Sequence, residues 1–152
     1  MLEIGSKAPN FTLKNANNET ITLEEFKGKN VIVYFYPKDL TPGCTKQAIA
    51  FTEHEEEFAK RDTVIIGISP DSTASHEKFI KKHNLNLILL ADEEKQAIES
   101  YGVWKEKKMY GRTFMGVERS TFLVDRTGTV QAIWRKVKVA KHINEVLEEL
   151  DK

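Results

Sequence analysis

The chain has 152 residues, enough for one domain with a substantial core. Its 23 lysines and arginines balance 23 aspartates and glutamates, so no net field draws it to nucleic acid or to an anionic membrane surface. The single cysteine excludes an internal disulfide, a zinc finger and an iron–sulfur site, all of which need more thiols, and it fits a reducing compartment.

The opening MLEIGSKAPN has no signal-like apolar stretch, and no apolar run reaches the roughly 18 residues of a membrane span. One cytoplasmic domain over residues 1–152 is therefore expected. Residues 11–13 (FTL) and 20–23 (TITL) flank the turn-rich NANNE and predict an N-terminal β-hairpin. Residues 23–28 (LEEFKG) read as a short helical turn stopped by glycine. The apolar run VIVYFY, 31–36, predicts a buried parallel strand.

From Cys44 to about Arg61 the residues Ala48, Phe51, Glu55 and Phe58 recur at helical intervals. TVIIGIS, 63–69, predicts a second buried strand, after which Pro70 and Asp71 open a helix over 72–83. LNLILLA, 85–91, is a third strand, and Asp92 caps a helix over 93–101. Residues 102–116 lose periodicity and read as an extended, solvated basic loop. Residues 117–125 and 130–137 form a hairpin around RTGT, and a helix over 140–150 puts Ile143, Val146, Leu147 and Leu150 on one face. The order implies an α/β fold with a mixed sheet, helices on both faces, and chemistry beyond the carboxyl ends of the parallel strands.

The turn after residue 36 carries the only thiol. Pro37 ends the strand because it has no amide hydrogen. Thr41 takes the N-cap position, Pro42 the first helical position, and Cys44 becomes the third helical residue. That position puts the sulfur near open amides and near the Thr41 hydroxyl, where negative charge is favoured. Helix starts and nearby cations favour thiolate, the reactive form of cysteine. Arg119 opens a strand expected to run antiparallel, so its start falls near the same edge. The plain structural alternatives are a buried inert thiol and a solvent-facing arginine. His54, His76, His83 and His142 lack metal-ligand spacing and read as surface or core residues, and Asp71 reads as a helix cap.

YPKDLTPGCT, 36–45, resembles the peroxiredoxin signature through Pro37, Thr41 and Cys44. GSKAPNFTL, GVERSTFLVDRTGTV and VKVAKHINEVLEEL extend the resemblance almost to both ends, with most likeness to the bacterioferritin comigratory protein or peroxiredoxin Q subfamily. The resemblance implies a thioredoxin-like fold and a cofactor-free, thiol-dependent peroxidase that reduces hydrogen peroxide and organic hydroperoxides to water and alcohols. In it Cys44 attacks the peroxide and becomes a sulfenic acid, Thr41 hydrogen-bonds peroxide or thiolate, Pro37 shields the site and Arg119 holds sulfur and peroxide together.

The chain departs from the subfamily in two places. Ile49 stands where many members carry a resolving cysteine, and Gln47 where glutamate is common. The implied turnover is of one-cysteine type, with thioredoxin, a glutaredoxin or a small thiol as reductant and the protein a monomer or weak homodimer. Two other readings keep the fold: a peroxide-sensing thiol module, and a thioredoxin-like disulfide oxidoreductase whose first cysteine is replaced by Thr41.

Overall fold

A computed structural model describes residues 2–152. The chain opens with β1 (Thr12–Asn15) and β2 (Thr20–Thr22), paired antiparallel around the polar turn. A 3-10 turn over Leu23–Phe26 follows, where the Thr22 amide donates to the Glu25 carboxylate at 2.8 Å. Then come β3 (Asn30–Phe35), α1 (Pro42–Glu53), α2 (Glu55–Lys60), β4 (Thr63–Ser69), α3 (Thr73–His83) and β5 (Ile88–Ala91). The second half comprises α4 (Gln96–Ser100), β6 (Trp104–Met109), β7 (Arg112–Val117), β8 (Ser120–Val124), β9 (Val130–Trp134) and α5 (His142–Leu150).

Seven strands form one mixed sheet in the order β2-β1-β5-β4-β3-β8-β9. The crossovers through helices make β3, β4 and β5 parallel, whereas the hairpin-linked β8 and β9 run antiparallel. This is the mixed sheet of a thioredoxin-like fold, with the expected N-terminal hairpin at one edge. Strand β3 lies near its centre because both of its faces are apolar. Val31, Val33 and Phe35 enter the core shared with α4, and Ile32, Tyr34 and Tyr36 enter the core beneath α1, α2, α3 and α5. Each such side chain is worth about 1.5–3 kcal/mol when fully buried.

A missing side chain helps to seat α1. Tyr34 pairs with Gly67 across β3 and β4, and a Cβ on Gly67 would stand 2.8 Å from the Tyr34 ring and 2.8 Å from Leu89. The space left by glycine holds the tyrosine, which stacks on Phe51 of α1 with centroids 4.8 Å apart.

The structure differs from the sequence expectations in several places. Residues 102–116 are not a loop, because β6 and β7 form a separate antiparallel hairpin. Tyr110 and Gly111 turn it with φ of 53° and 74°, the two positive values that a tight hairpin turn needs. Most side chains in both strands are exposed or half-buried, so no apolar alternation marked them. The long helix breaks at His54, whose ring nitrogen bonds the Ala50 carbonyl at 2.8 Å. The third strand shortens to Ile88–Ala91 because Asn84, in the left-handed conformation, closes α3 and leaves the next residues in a connection. Asp92 does bind the start of α4, accepting from the Gln96 and Ile98 amides at 2.7 and 2.9 Å. Asp71 is not a cap: Ser72 caps α3 through the Ser75 amide at 3.1 Å. Among the described residues no helix is long and apolar enough to cross a membrane.

Candidate active site

The sheet ladder reaches one residue beyond β3, where the Tyr36 amide donates to the Ile68 carbonyl at 3.1 Å, and Pro37 then stops it. The loop that follows is tied down from below. Asp39 is buried, and its carboxylate accepts from the Tyr36 hydroxyl at 2.6 Å and the Ser75 hydroxyl at 2.8 Å, with His76 Nδ1 at 2.7 Å. His76 Nε2 faces the Leu90 carbonyl at 2.9 Å, and since a carbonyl only accepts, that nitrogen carries hydrogen. The Asp39 amide in turn donates to the Asp71 carboxylate at 2.8 Å. Burial first, then Tyr34 and Asp39, hold the Tyr36 phenol well above its ordinary pKa, so it remains a donor.

Removing Asp39 takes an acceptor from the Tyr36 and Ser75 hydroxyls and from His76 Nδ1. Asp39→Ala is expected to cost about 1–3 kcal/mol of stability, the range for leaving a buried polar group without its partner. Urea unfolding measures it, and a loss below about 1 kcal/mol would show that the network does not hold the loop.

Helix α1 starts as its sequence dictates. Thr41 is the N-cap in extended conformation, Pro42 is the first helical residue, and the Thr45 amide donates to the Thr41 carbonyl at 2.9 Å. The Thr41 hydroxyl departs from expectation. It neither caps the helix nor bonds the sulfur, but donates to the Lys38 carbonyl at 2.8 Å, because the loop folds back over its own helix start. With its hydrogen committed, the Thr41 oxygen offers lone pairs alone. Pro37 is half-buried at the strand end and makes no hydrogen bond to the sulfur.

Cys44 is 1% exposed. Strand register brings its partner from 75 residues away: β8 runs antiparallel to β3 with Ser120 opposite Phe35, so Arg119 arrives at the carboxyl end of β3. Arg119 Nη2 donates to Cys44 Sγ at 3.1 Å and Nη1 donates to Gln47 Oε1 at 2.6 Å. The Val137 amide donates to the Arg119 carbonyl at 2.9 Å and steadies that backbone. The guanidinium passes over Gly43, where a Cβ would stand 3.4 Å from Nη2 in ordinary contact.

Gln47 was not among the expected site residues. Its signal was available: a polar side chain three residues after Cys44, on the face of α1 that buries Cys44, Ala48 and Phe51. Gln47 Nε2 and the Tyr34 hydroxyl are buried without hydrogen-bond partners. Burial first, and Cys44 second, push the Tyr34 phenol far above its ordinary pKa. The histidines lie elsewhere: His142 bonds the Thr121 hydroxyl at 2.8 Å, and His76 belongs to the Asp39 network. Among the described residues no three His, Cys, Asp or Glu side chains converge as metal ligands.

A buried thiol on a helix start, beyond the central strand of this mixed sheet and bonded by an arginine from the adjacent antiparallel strand, defines a thiol oxidoreductase of thioredoxin-like fold. The AhpC/TSA family model matches residues 4–133, and the chain belongs to that family. It is 52% identical to peroxiredoxin Bcp of Bacillus subtilis over 149 residues, covering 98% of this chain and 95% of that one. It is 39% identical to peroxiredoxin Bcp of Escherichia coli, with 98% and 96% covered. Among solved structures, the bacterioferritin comigratory protein of Xanthomonas campestris, described for alkyl peroxide reduction, superposes with a TM-score of 0.88 at 40% identity, covering 93% of this chain and 90% of that one. A cysteine-to-serine variant of Xylella fastidiosa PrxQ superposes with a TM-score of 0.94 at 33% identity, with 99% and 96% covered. These relatives favour neither the sensor reading nor the disulfide-reductase reading.

Proposed function

We propose that Cys44 carries the chemistry of this thiol-dependent peroxidase, which reduces hydroperoxides to water or alcohols at the expense of an external thiol. The observation that carries the assignment is the Arg119 guanidinium, which donates to Cys44 Sγ at 3.1 Å. A cationic donor on the sulfur sits where an attacked oxygen would arrive and can stabilise the charge that develops there. The Cys44 thiolate attacks the nearer peroxide oxygen, the O–O bond breaks, and the distal oxygen leaves with the electron pair and takes up a proton. Sulfur is oxidised to sulfenic acid and the peroxide is reduced. The free lone pairs of Thr41 accept the hydrogen of the incoming hydroperoxide, while Arg119 bridges sulfur and peroxide oxygen. Pro37, half-buried where the loop begins, limits water at the sulfur.

No second cysteine exists to close a disulfide. One external thiol must condense with the sulfenic acid and a second must release Cys44, with thioredoxin, a glutaredoxin or a small thiol as the source. Cys44, Thr41 and Arg119 all come from one chain, which fits a monomer or weak homodimer and a single domain over residues 1–152 working in the reducing cytoplasm. The test is peroxide consumption with and without added thiol, followed by mass spectrometry of Cys44. Sustained turnover is expected with thiol present, and one oxygen on Cys44 followed by over-oxidation without it. Undiminished turnover without thiol, or oxygen on another residue, would sink the assignment.

A further inference from the structure

A cleft of about 370 Å³ lies between β6 and the segments that carry Arg119 and Lys136. Five cationic side chains line it against two carboxylates, Glu106 and Glu118. Among the described residues, Lys105, Lys107, Lys136 and Arg119 form no ion pair. Arg119 belongs to both places, since the same side chain donates to Cys44 Sγ.

Lys107 lies over the neighbouring strand. Its stem crosses Gly116 of β7, where a Cβ would stand 3.3 Å from Lys107 Cδ. Burial, and then repulsion by Arg119, hold its amine below the ordinary lysine pKa, although Cys44 and Glu118 pull the other way. An anion in the cleft would relieve that charge.

We infer that this cleft seats the carboxylate end of a small anionic thiol and delivers its sulfur to oxidised Cys44. The inference rests on the peroxidase reading, which requires an external thiol because the chain has one cysteine. The cleft is open to solvent, and its volume of about 370 Å³ has room for a small thiol that carries carboxylates. The thiol condenses with the Cys44 sulfenic acid: a sulfur–sulfur bond forms, the S–OH bond breaks, and water leaves with the thiol proton. A second molecule of the thiol then attacks the mixed disulfide, returning Cys44 as thiol and leaving as the oxidised dimer. Lys107 and Lys136 bind the carboxylates throughout. With five cations against two carboxylates the lining is net positive, and such a field raises the association rate of an anion by about 10-fold at low salt.

The test uses the full chain oxidised with one equivalent of hydrogen peroxide, with the sulfenic acid verified by mass spectrometry before any thiol is added. Stopped-flow rates are then measured for mercaptosuccinate, 2-mercaptoethanol and cysteamine, each corrected for thiolate fraction and intrinsic nucleophilicity. Mercaptosuccinate is expected to react about 10-fold faster than 2-mercaptoethanol and cysteamine more slowly, with the spread shrinking as salt rises. In Lys107→Gln/Lys136→Gln the ratio of mercaptosuccinate to 2-mercaptoethanol rates should fall toward one, and Lys107→Arg/Lys136→Arg should restore it. Equal corrected rates in the native chain, or a ratio that survives the glutamine pair, would overturn the inference. So would a carboxylate preference confined to the oxidation step, seen with a carboxylate-bearing hydroperoxide against tert-butyl hydroperoxide, which assigns the cleft to substrate. Absence of sulfenic acid before thiol is added overturns the peroxidase reading and the inference together.

Discussion

Cys44→Ser is expected to abolish thiol-dependent peroxide consumption while leaving the protein folded. Serine is nearly isosteric with cysteine, and its oxygen still accepts from Arg119, whose Nη2 lies 3.1 Å from the native sulfur. The surrounding core has no reason to move: Cys44 is 1% exposed and packs with Ala48, Phe51 and Tyr34. The chemistry is what disappears. A serine hydroxyl does not ionise near neutral pH and has no low oxidation step equivalent to sulfenic acid, so the O–O bond meets no competent nucleophile. Peroxide loss in the presence of thiol gives the first readout and a thermal melt the second. Residual thiol-dependent turnover in a folded serine variant would remove Cys44 from the mechanism, whereas an unfolded variant would show that the thiol also holds the core.

The elements that a sequence reveals well are those whose pattern is local. TVIIGIS gives β4 its full extent, Thr63–Ser69, because every residue is buried or half-buried between helices. The start of α1 is legible because Pro42 and Thr41 have few other uses in that order. The proximity of Arg119 to the thiol follows from strand direction, since an antiparallel neighbour of β3 must begin where β3 ends. What stays hidden depends on partners far along the chain. Asp39 looks like any loop aspartate until α3 brings His76 and Ser75 to it, and Asp71 looks like a cap until the Asp39 amide claims its carboxylate. Gln47 differs from a core residue only in its polar end, and the reason for that end, Arg119, lies 72 residues away. The hairpin of β6 and β7 escaped for the opposite reason, because strands facing mostly solvent carry no apolar alternation.

Arg119→Ala should slow peroxide oxidation of Cys44 by about 10²–10³-fold, the usual penalty for losing one preorganised donor at a site of developing charge. That factor corresponds to about 2.7–4 kcal/mol of transition-state stabilisation. The stability cost should be smaller. Arg119 is half-buried, forms no ion pair among the described residues, and contributes to folding mainly through the 2.6 Å bond to Gln47 Oε1. Leaving that amide oxygen unpaired costs about 1–3 kcal/mol, and the space vacated by the guanidinium admits water that can pair it. Arg119→Lys separates geometry from charge. A lysine keeps the cation but lacks the planar fork that reaches sulfur and Gln47 at once, so most of the rate loss should remain. Stopped-flow oxidation of the reduced protein measures the effect without the thiol steps. A native rate in Arg119→Lys would reduce the role of the residue to its charge, and a native rate in Arg119→Ala would take it out of the reaction and leave its contact with the sulfur a matter of packing.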